Sequence, residues 1–217
     1  MEEIFRLFAE NVEYYDSWYH EPSGRAVLEA EVKMLDTELP KGVGADIGAG
    51  TCVFPPLLSR EREIICVEPV YEMLSYGRKR CQHHLVSVGE LLPLVELNFA
   101  YMVTVVEFLK DPIKVGESIY LSLKNGGILA VLFINRESTW GKTYQQIAAE
   151  GKDPILSRAK LYNLEEIKTI FEKAGFKYRK AVASLYWEPF TVPAQKRIYS
   201  YQECRDCGAV LAVFEKP

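Results

Sequence analysis

A glycine-rich turn and a later carboxylate are the residues of this chain whose types and spacing could do chemistry. The turn, Gly48-Ala49-Gly50, directly follows a short apolar run that contains Asp46. Glycines let the backbone pass close to a ligand because they carry no Cβ. Glu68 ends the next apolar run, where a carboxylate can accept hydrogen bonds from both hydroxyls of a ribose. Together these residues predict a site for a cofactor that contains adenosine.

The elements that must position these residues alternate between strands and helices. Apolar runs without polar alternation indicate strands buried on both faces of a parallel sheet, and their alternation with helices indicates βαβ units. The last two strands have no convincing helix between them, so we expect them to pair antiparallel at the edge of the sheet. The sequence thus predicts a doubly wound α/β fold with a seven-stranded sheet, mostly parallel with an antiparallel last strand. The predicted strands are 43–47, 64–67, 84–88, 99–106, 128–134, 178–186 and 209–214, and the predicted helices are 24–38, 53–59, 69–79, 111–123 and 164–174.

Length, charge and hydropathy narrow the range of functions. The 217 residues can bury a full-sized core in one domain. The net charge of -4 argues against nucleic acid as a partner, since binding it usually needs a clear basic excess. The apolar runs are too short for a transmembrane helix, and the acidic start Met1-Glu2-Glu3 lacks the basic region of a secretory signal. We therefore expect a cytoplasmic protein without a membrane partner, and the oligomeric state stays open.

The five cysteines, an odd number, do not suggest a disulfide framework. Cys52, Cys66 and Cys81 lie in or beside predicted core elements, where cysteine acts as a small apolar residue. Cys204 and Cys207 supply two thiols, whereas a structural zinc site needs four ligands. We expect no metal site, and we expect a tight turn between two strands at Cys204 and Cys207.

The glycine turn does not fit two common nucleotide sites. The dinucleotide fingerprint has a third glycine at the position that Val53 occupies here. A phosphate-binding loop of the Walker type needs Gly-Lys-Ser or Gly-Lys-Thr, which does not follow the turn. The segment Asp46-x-Gly48-x-Gly50-Thr51 instead resembles the first motif of class I S-adenosylmethionine-dependent methyltransferases. The resemblance implies that an acidic residue near the glycines binds the methionyl ammonium of the cofactor.

Four further segments resemble motifs of this family in the family's order, and the resemblance covers residues 11–215. Glu68-Pro69 with Met73 resembles the second motif, in which the carboxylate takes the ribose hydroxyls and the methionine packs near the adenine. Val88-Gly89-Glu90 resembles the third motif, which holds the adenine amine. The other two segments are 121–127, which resembles the turn before the fifth strand, and 163–176, which resembles the final helix and its Gly-Phe exit.

The resemblance departs at two positions, where Leu97-Asn98 replaces the usual Phe-Asp and Asn125 replaces a common proline. Within the superfamily the chain is similar to small-molecule methyltransferases of the methyltransferase domain 11 group, some of which are labelled as possible amine N-methyltransferases. The resemblance implies a Rossmann-like sheet in a single methyltransferase domain, 1–217. Its expected parts are an N-terminal helical cap at 1–40, a cofactor-binding core at 41–135, a lid-like insertion at 136–161, and the last helix and C-terminal strands at 162–217.

Methyl transfer from a sulfonium requires little acid–base or nucleophilic chemistry from the protein's side chains. The reaction is an in-line displacement, so the protein must mainly hold donor and acceptor in line. A general base is needed only if the acceptor must lose a proton. By resemblance, Tyr15 or Trp18 closes over the methionyl end of the cofactor. Residues 104–107, which include the candidate cofactor residues Thr104 and Val105, lie where the fourth predicted strand ends and are expected beside the transferring methyl. The expected product is S-adenosyl-L-homocysteine.

The acceptor is expected to be a small molecule between the N-terminal segment and the insertion. The candidate substrate residues are Tyr19, His20, Glu107, Trp140 and Tyr144. His20 is a candidate base because its pKa is near neutral, with a surface or capping role as the alternative. Glu107 could orient an amine or face solvent, and the aromatic residues could serve packing alone.

Other functions stay open on these grounds. A protein with these motifs could methylate RNA or protein, although the acidic charge balance argues against RNA. It could also bind S-adenosylmethionine without catalysis. A nicotinamide oxidoreductase is disfavoured by Val53.

Overall fold

Eight strands and seven α-helices make up the part of the chain that the computed structural model describes, residues 2–217. Met1, the first residue of the predicted N-terminal cap, lies outside the described residues. Among those residues, no helix has both the length and the hydropathy that crossing a membrane requires. The strands are β1 (Gly42–Ile47), β2 (Arg62–Val67), β3 (His83–Leu85), β4 (Leu97–Val103), β5 (Leu123–Ile134), β6 (Lys177–Ser184), β7 (Tyr199–Ser200) and β8 (Ala209–Glu215). The helices are α1 (Glu2–Glu10), α2 (Val12–Trp18), α3 (Pro22–Glu38), α4 (Tyr71–Gly77), α5 (Pro112–Ser122), α6 (Thr139–Ala149) and α7 (Leu164–Lys173).

The strands form one sheet in the order β3-β2-β1-β4-β5-β8-β6-β7. Strands β1 to β5 pair in parallel, whereas β8 runs antiparallel between β5 and β6. The last two predicted strands therefore pair as expected, although β8 lies inside the sheet and not at its edge. The predicted number of seven strands is wrong, because the two-residue strand β7 adds an eighth at the edge beside β6. Two residues are too few to show a strand pattern in the sequence.

Both faces of the sheet are covered by helices, as the apolar strands indicated. Side chains alternate between the faces along a strand. In β4, Ala100 and Met102 join a core cluster that includes residues of α5 and α7. Phe99 and Tyr101 join a second cluster that includes residues of α3. The side chains from Phe99 to Val103 thus pack in apolar clusters on both faces, which explains the absence of polar alternation in this part of β4.

Two predicted segments differ in type from the structure, and two predicted strands, 84–88 and 99–106, end earlier, as β3 and β4. The helix expected at 53–59 is only a single 3₁₀ turn, Pro55–Leu57, because two successive prolines there lack N–H donors. The insertion 136–161, in which the sequence predicts neither helix nor strand, contains α6. Ser138 caps that helix by accepting a hydrogen bond from the Gly141 N–H at 2.9 Å, a local signal that favours a helix start.

The carboxyl ends of β1, β2 and β4 lie side by side in the parallel part of the sheet. Gly48, Glu68 and Thr104 are the first residues after these three strands. In open α/β sheets, ligands bind in the crevice at this edge. The fold thus brings the glycine turn and the later carboxylate together.

Candidate active site

The glycine turn after β1 folds tightly over the end of β2. The N–H groups of Gly48 and Ala49 both donate to the Val67 carbonyl, at 2.8 and 3.0 Å. Gly48 has a φ of +73°, and a Cβ there would lie 2.6 Å from Cγ2 of Val105. Glycine is therefore required at this position, both for its backbone conformation and for its lack of a side chain.

Glu68, the first residue after β2, is held by backbone donors. Its carboxylate accepts hydrogen bonds from the N–H groups of Gly50 and Val70, both at 2.9 Å. Only 6% of the residue is exposed. Burial raises the pKa of Glu68 to about 6, and the two backbone donors oppose that rise. Each carboxylate oxygen accepts one backbone hydrogen bond and has capacity for another, so Glu68 can also accept from two hydroxyls of a ligand.

Asp46 is buried within β1, and its carboxylate accepts a hydrogen bond from the Tyr101 hydroxyl at 3.0 Å. Burial raises the pKa of Asp46 to about 7; the Tyr101 hydroxyl opposes that rise and the charge of Glu68 adds to it. Asp46 is not among the residues that line the cavity described next, and neither are Ala49 and Thr51. The structure therefore places Asp46 against Tyr101 in the core.

A cavity of about 490 Å³ lies at the carboxyl ends of the strands. Cavities that hold small ligands have volumes of roughly 300–1,000 Å³. The walls come from the glycine turn, from the loops that follow β2, β3 and β4, from the helices α1, α2, α3 and α6, and from the segment after α6. The predicted cofactor and substrate residues that line this cavity are Tyr15, Trp18, Tyr19, Gly48, Gly50, Glu68, Pro69, Met73, Val88, Gly89, Glu90, Thr104, Val105, Glu107 and Tyr144.

Two predicted substrate residues do not reach the cavity. His20 is not among the lining residues; its side chain is 64% exposed, and Nε2 lies 3.1 Å from a carboxylate oxygen of Asp16. This corresponds to the surface role that the sequence left as the alternative. Trp140 is fully buried, and its Nε1 donates to the Trp187 carbonyl at 2.7 Å. Its ring packs edge-on against Tyr144, so Trp140 supports a lining residue and does not line the cavity itself.

Helix α2 is tied to the segments around the cavity by contacts that the sequence did not predict. The Tyr14 hydroxyl donates to Oδ2 of Asp153 at 2.7 Å, which joins α2 to the segment after α6. Asp16 is buried and forms a two-pronged ion pair with Arg80. Arg80 also donates to the carbonyl of Thr51 at 3.1 Å, which links α2 to the glycine turn.

Glu107, which follows β4 in a 3₁₀ turn, is buried and does not face solvent. Oε1 accepts a hydrogen bond from the Ile134 N–H at 2.9 Å, whereas Oε2 has no partner. Burial raises the pKa of Glu107 to about 7, and backbone N–H donors oppose that rise. Of the two alternatives from the sequence, the solvent-facing one is therefore wrong.

Glu31 is a lining residue that the sequence reasoning missed. It lies on α3, it is 3% exposed, and burial together with the charge of Glu107 raises the pKa of Glu31 to about 8. A signal was available, because its neighbours at helical spacing are buried apolar residues. A lone carboxylate on the apolar face of a helix is unusual. These neighbours are Val27, Leu28, Met34 and Leu35.

The cysteines depart from the sequence expectation. Cys66 forms a disulfide with Cys81, and Cys204 forms one with Cys207, while Cys52 is free and buried. An odd number of cysteines excludes complete pairing, but it does not exclude two bonds and one free thiol. The sulfur atoms of Cys52, Cys66 and Cys81 lie within 4.8 Å of one another.

Known proteins with related sequences or folds allow the family to be assigned. Residues 20–181 match the family described as Methyltransferase domain. A crystal structure from Thermotoga maritima, described as a SAM-dependent methyltransferase and possible histamine N-methyltransferase, is similar with a TM-score of 0.86 at 28% identity. That similarity covers 99% of this chain and 100% of the other.

Two further relatives are similar over most of their length. A methyltransferase of Haloferax volcanii, solved in complex with the activator Trm112, has the same fold with a TM-score of 0.72 at 17% identity, over 97% of each chain. An uncharacterised protein of Methanocaldococcus jannaschii is 29% identical over 184 residues, which are 84% of this chain and 86% of that protein.

The family match spans most of the chain and includes the glycine turn, Glu68 and the strands that carry them. The buried carboxylate of Glu68 can accept further hydrogen bonds and lies beside the glycine turn, so it fits the ribose of an adenosine cofactor. The chain therefore belongs to the methyltransferase-domain family, and it is an enzyme that uses S-adenosylmethionine as its methyl donor.

Proposed function

We propose that this enzyme transfers the methyl group of S-adenosylmethionine to a small molecule. The observation that carries the proposal is that one cavity is lined both by the residues proposed to bind the cofactor and by polar residues outside the cofactor motifs. The glycine turn and Glu68 line it together with Glu31, Glu107 and Tyr144, which the cofactor motifs do not include. A macromolecular acceptor would need an open surface, whereas this cavity lies under α2 and the segment after α6, which the Tyr14–Asp153 hydrogen bond joins.

The proposed cofactor contacts follow the motifs. Glu68 accepts hydrogen bonds from the ribose hydroxyls, and its two backbone donors support this role by fixing the carboxylate. Asp46 acts on the methionyl ammonium through its charge, from its place beside Tyr101. The remaining proposed contacts are Gly48, Ala49, Gly50 and Thr51 in the turn, Pro69 and Met73 near the adenine, Val88, Gly89 and Glu90 at the adenine amine, and Tyr15, Trp18, Thr104 and Val105 around the methionyl end.

When bound, S-adenosylmethionine supplies an electrophilic methyl group on its sulfonium sulfur. The protein's part is to hold the acceptor in line with that methyl and to exclude water. Tyr15 supports this arrangement, because its hydroxyl is fixed by Tyr19 at 3.1 Å and its ring lies against the glycine turn. Glu107 is the proposed residue to orient the acceptor. His20 keeps no role in this proposal, since it does not line the cavity.

The expected parts of the chain become proposals about roles within a single methyltransferase domain. We assign cofactor binding to 41–135, acceptor access to the helical cap at 1–40 and the insertion at 136–161, and completion of the sheet to 162–217. A lid role for the insertion is supported by three of its residues that line the cavity, Tyr144, Ile147 and Asp153. A cytoplasmic location stays a prediction of the sequence, and the two disulfides do not support it, because disulfides are rare in the cytosol of mesophiles.

Calorimetric titration tests the cofactor part of the proposal. S-adenosylhomocysteine should bind and NAD should not. Glu68→Gln should weaken S-adenosylhomocysteine binding by roughly ten- to a hundredfold, the usual effect of losing a charged hydrogen-bond acceptor. Glu63→Gln is the matched control, since Glu63 is exposed on the same strand β2. Equal losses in the two variants would contradict the assignment of Glu68.

A methyl-transfer screen with labelled cofactor tests the acceptor class. The panel contains small amines, thiols, phenols and carboxylates, together with bulk tRNA and unfolded protein as macromolecular alternatives. An amine is one expected class, because the described T. maritima relative is a possible histamine N-methyltransferase. Efficient labelling of tRNA or protein would contradict a small-molecule acceptor, and cofactor binding without any transfer would favour a non-catalytic role.

A further inference from the structure

Two buried carboxyl groups in the cavity have no cationic partner in the protein. Glu31 on α3 and Glu107 after β4 are each 3% exposed, and both line the cavity. Within residues 2–217, neither forms an ion pair with a lysine, arginine or histidine. The lysines that line the cavity, Lys110 and Lys152, are both exposed. The buried residues of the wall that can carry a full charge at neutral pH are therefore all glutamates.

The hydrogen bonding of these two groups is also incomplete. Oε2 of Glu107 is buried without a partner, although Oε1 is fixed by the Ile134 N–H. Glu31 makes no side-chain hydrogen bond within the described part of the chain. Buried polar groups in native proteins are nearly always hydrogen-bonded, and an unpaired buried charge is strongly unfavourable. Among the described residues, each of the two side chains thus has at least one carboxylate oxygen without a hydrogen-bond donor, and neither has a positively charged partner in this cavity.

The neighbouring side chains also favour a cation. Tyr19 and Tyr144 line the same cavity as the two carboxyl groups, where Tyr19 is buried and Tyr144 is half-buried. The charge of Glu107 acts on Glu31. Faces of aromatic rings attract ammonium groups. Two carboxyl groups with aromatic neighbours in a small cavity are a suitable environment for an alkylammonium ion.

The position of Glu107 relates this place to the cofactor region. Glu107 follows Val105 by two residues in the same turn, and the Val105 side chain packs directly over Gly48. Glu107, Gly48 and Gly50 line the same cavity, so a group held by Glu107 shares that cavity with a ligand bound at the glycine turn. That is the place where an acceptor must sit to receive a methyl group in line.

We propose that Glu31 and Glu107 form a subsite that binds a small amine as its ammonium ion, and that one of the two carboxylates then takes a proton from it. The neutral nitrogen can form the new nitrogen–carbon bond with the sulfonium methyl while the carbon–sulfur bond breaks and S-adenosylhomocysteine leaves. The inference rests on the proposed small-molecule methyl transfer and adds to it the class of acceptor and the residues that select it. An ammonium group supplies three N–H donors and one positive charge, which match the unpaired Oε2 of Glu107 and the unpaired carboxyl group of Glu31.

Calorimetry on the enzyme saturated with S-adenosylhomocysteine tests this subsite. The probes are phenethylamine and 2-phenylethanol, which have nearly the same shape but differ in charge. Wild-type enzyme should bind the amine at least about tenfold more tightly than the alcohol, the usual size of a charged hydrogen bond. Glu31→Gln and Glu107→Gln should each remove most of that preference and leave alcohol binding nearly unchanged.

Glu21→Gln is the matched control, because Glu21 lines the same cavity but is exposed; it should keep the preference for the amine. S-adenosylhomocysteine must bind all variants as it binds the wild type, which shows that they are folded. Equal binding of amine and alcohol, no amine binding at millimolar concentration, or a preference that survives in the double variant would overturn the subsite. If the wild type itself does not bind S-adenosylhomocysteine, that result would instead contradict the proposed function.

Discussion

Four carboxyl side chains in or near the cavity wall are buried, and they differ in the number and kind of hydrogen-bond donors that they have. Glu68 has two backbone N–H donors, Asp46 has the Tyr101 hydroxyl, Glu107 has the Ile134 N–H, and Glu31 has no hydrogen-bond donor within residues 2–217. Their pKa values follow this order, at about 6 for Glu68, about 7 for Asp46 and Glu107, and about 8 for Glu31. A carboxyl group with fewer donors holds its proton more strongly.

Glu31 should make the stability of the ligand-free protein depend on pH. Its pKa is about 8 in the folded protein against an ordinary value of 4.5. Between these values the unfolded chain releases a proton that the folded protein keeps, so the free energy of unfolding falls as pH rises. The thermal midpoint of the wild type should therefore fall several degrees more than that of Glu31→Gln between about pH 5.5 and about pH 8.5.

The comparison isolates Glu31 because Asp46 and Glu107 titrate in both proteins. The tyrosines that face Glu31 stay protonated throughout, since burial raises the pKa of Tyr15, Tyr19 and Tyr144. Glu21→Gln should keep the wild-type slope. Identical slopes in the wild type and Glu31→Gln would show that Glu31 is not held in a buried, unpaired state.

Gly48→Ala should abolish cofactor binding, because the new Cβ would lie 2.6 Å from Val105 and displace the turn. Gly126→Ala is the control, since Gly126 has nearly the same φ, +75°, with no atom within 4 Å of its Cβ position. Both variants strain the backbone by roughly 1–2 kcal/mol, but only Gly48→Ala should lose S-adenosylhomocysteine binding in calorimetry. If Gly48→Ala bound S-adenosylhomocysteine with wild-type affinity, cofactor binding would not depend on the close packing of Gly48 against Val105.

The elements over the cavity are held together by contacts between distant parts of the sequence. Tyr14 and Asp153 are 139 positions apart, and Asp16 and Arg80 are 64 apart. Such pairs leave no local pattern, and this explains why the strand core was predicted better than the cover of the cavity. The Gly48 turn and Glu68 were predictable because each follows directly from a buried strand. The sequence marks Glu31 as a lone carboxylate among apolar residues of α3, but its position in the cavity wall depends on how α3 packs against the sheet.

Tyr14→Phe should loosen the cover without unfolding the protein. The lost hydrogen bond to Asp153 is exposed, and such a bond is worth at most about 1 kcal/mol in stability. The hydrogen bond to Asp153 and partial burial raise the pKa of Tyr14 to about 12, so the hydroxyl donates at any ordinary pH. Stopped-flow measurements should show S-adenosylhomocysteine leaving several-fold faster from this variant.

Tyr71→Phe is the matched control, since Tyr71 is 66% exposed and its ring is outside the cavity wall. Its release rate should equal that of the wild type. If Tyr14→Phe also releases the product at the wild-type rate, the contact between α2 and the segment after α6 does not control access.

At the scale of the whole molecule, helices cover both faces of the sheet, and the cavity lies at the carboxyl ends of its parallel strands. Parallel strands β1, β2 and β4 end there together, which is why Gly48, Glu68 and Thr104 meet although they are far apart in sequence. The doubly wound class was predictable from the apolar runs. The eighth strand was not, because β7 has two residues, and the disulfides were not, because the number of cysteines says nothing about their distances.

The central claim is that the cofactor and a small amine share this cavity, and a crystal structure of the S-adenosylhomocysteine complex tests it most directly. We predict the ribose hydroxyls within hydrogen-bond distance of the Glu68 carboxylate. We also predict the homocysteine sulfur facing the space between Glu31 and Glu107. A ribose bound away from Glu68, or a sulfur separated from that space by protein side chains, would contradict the account.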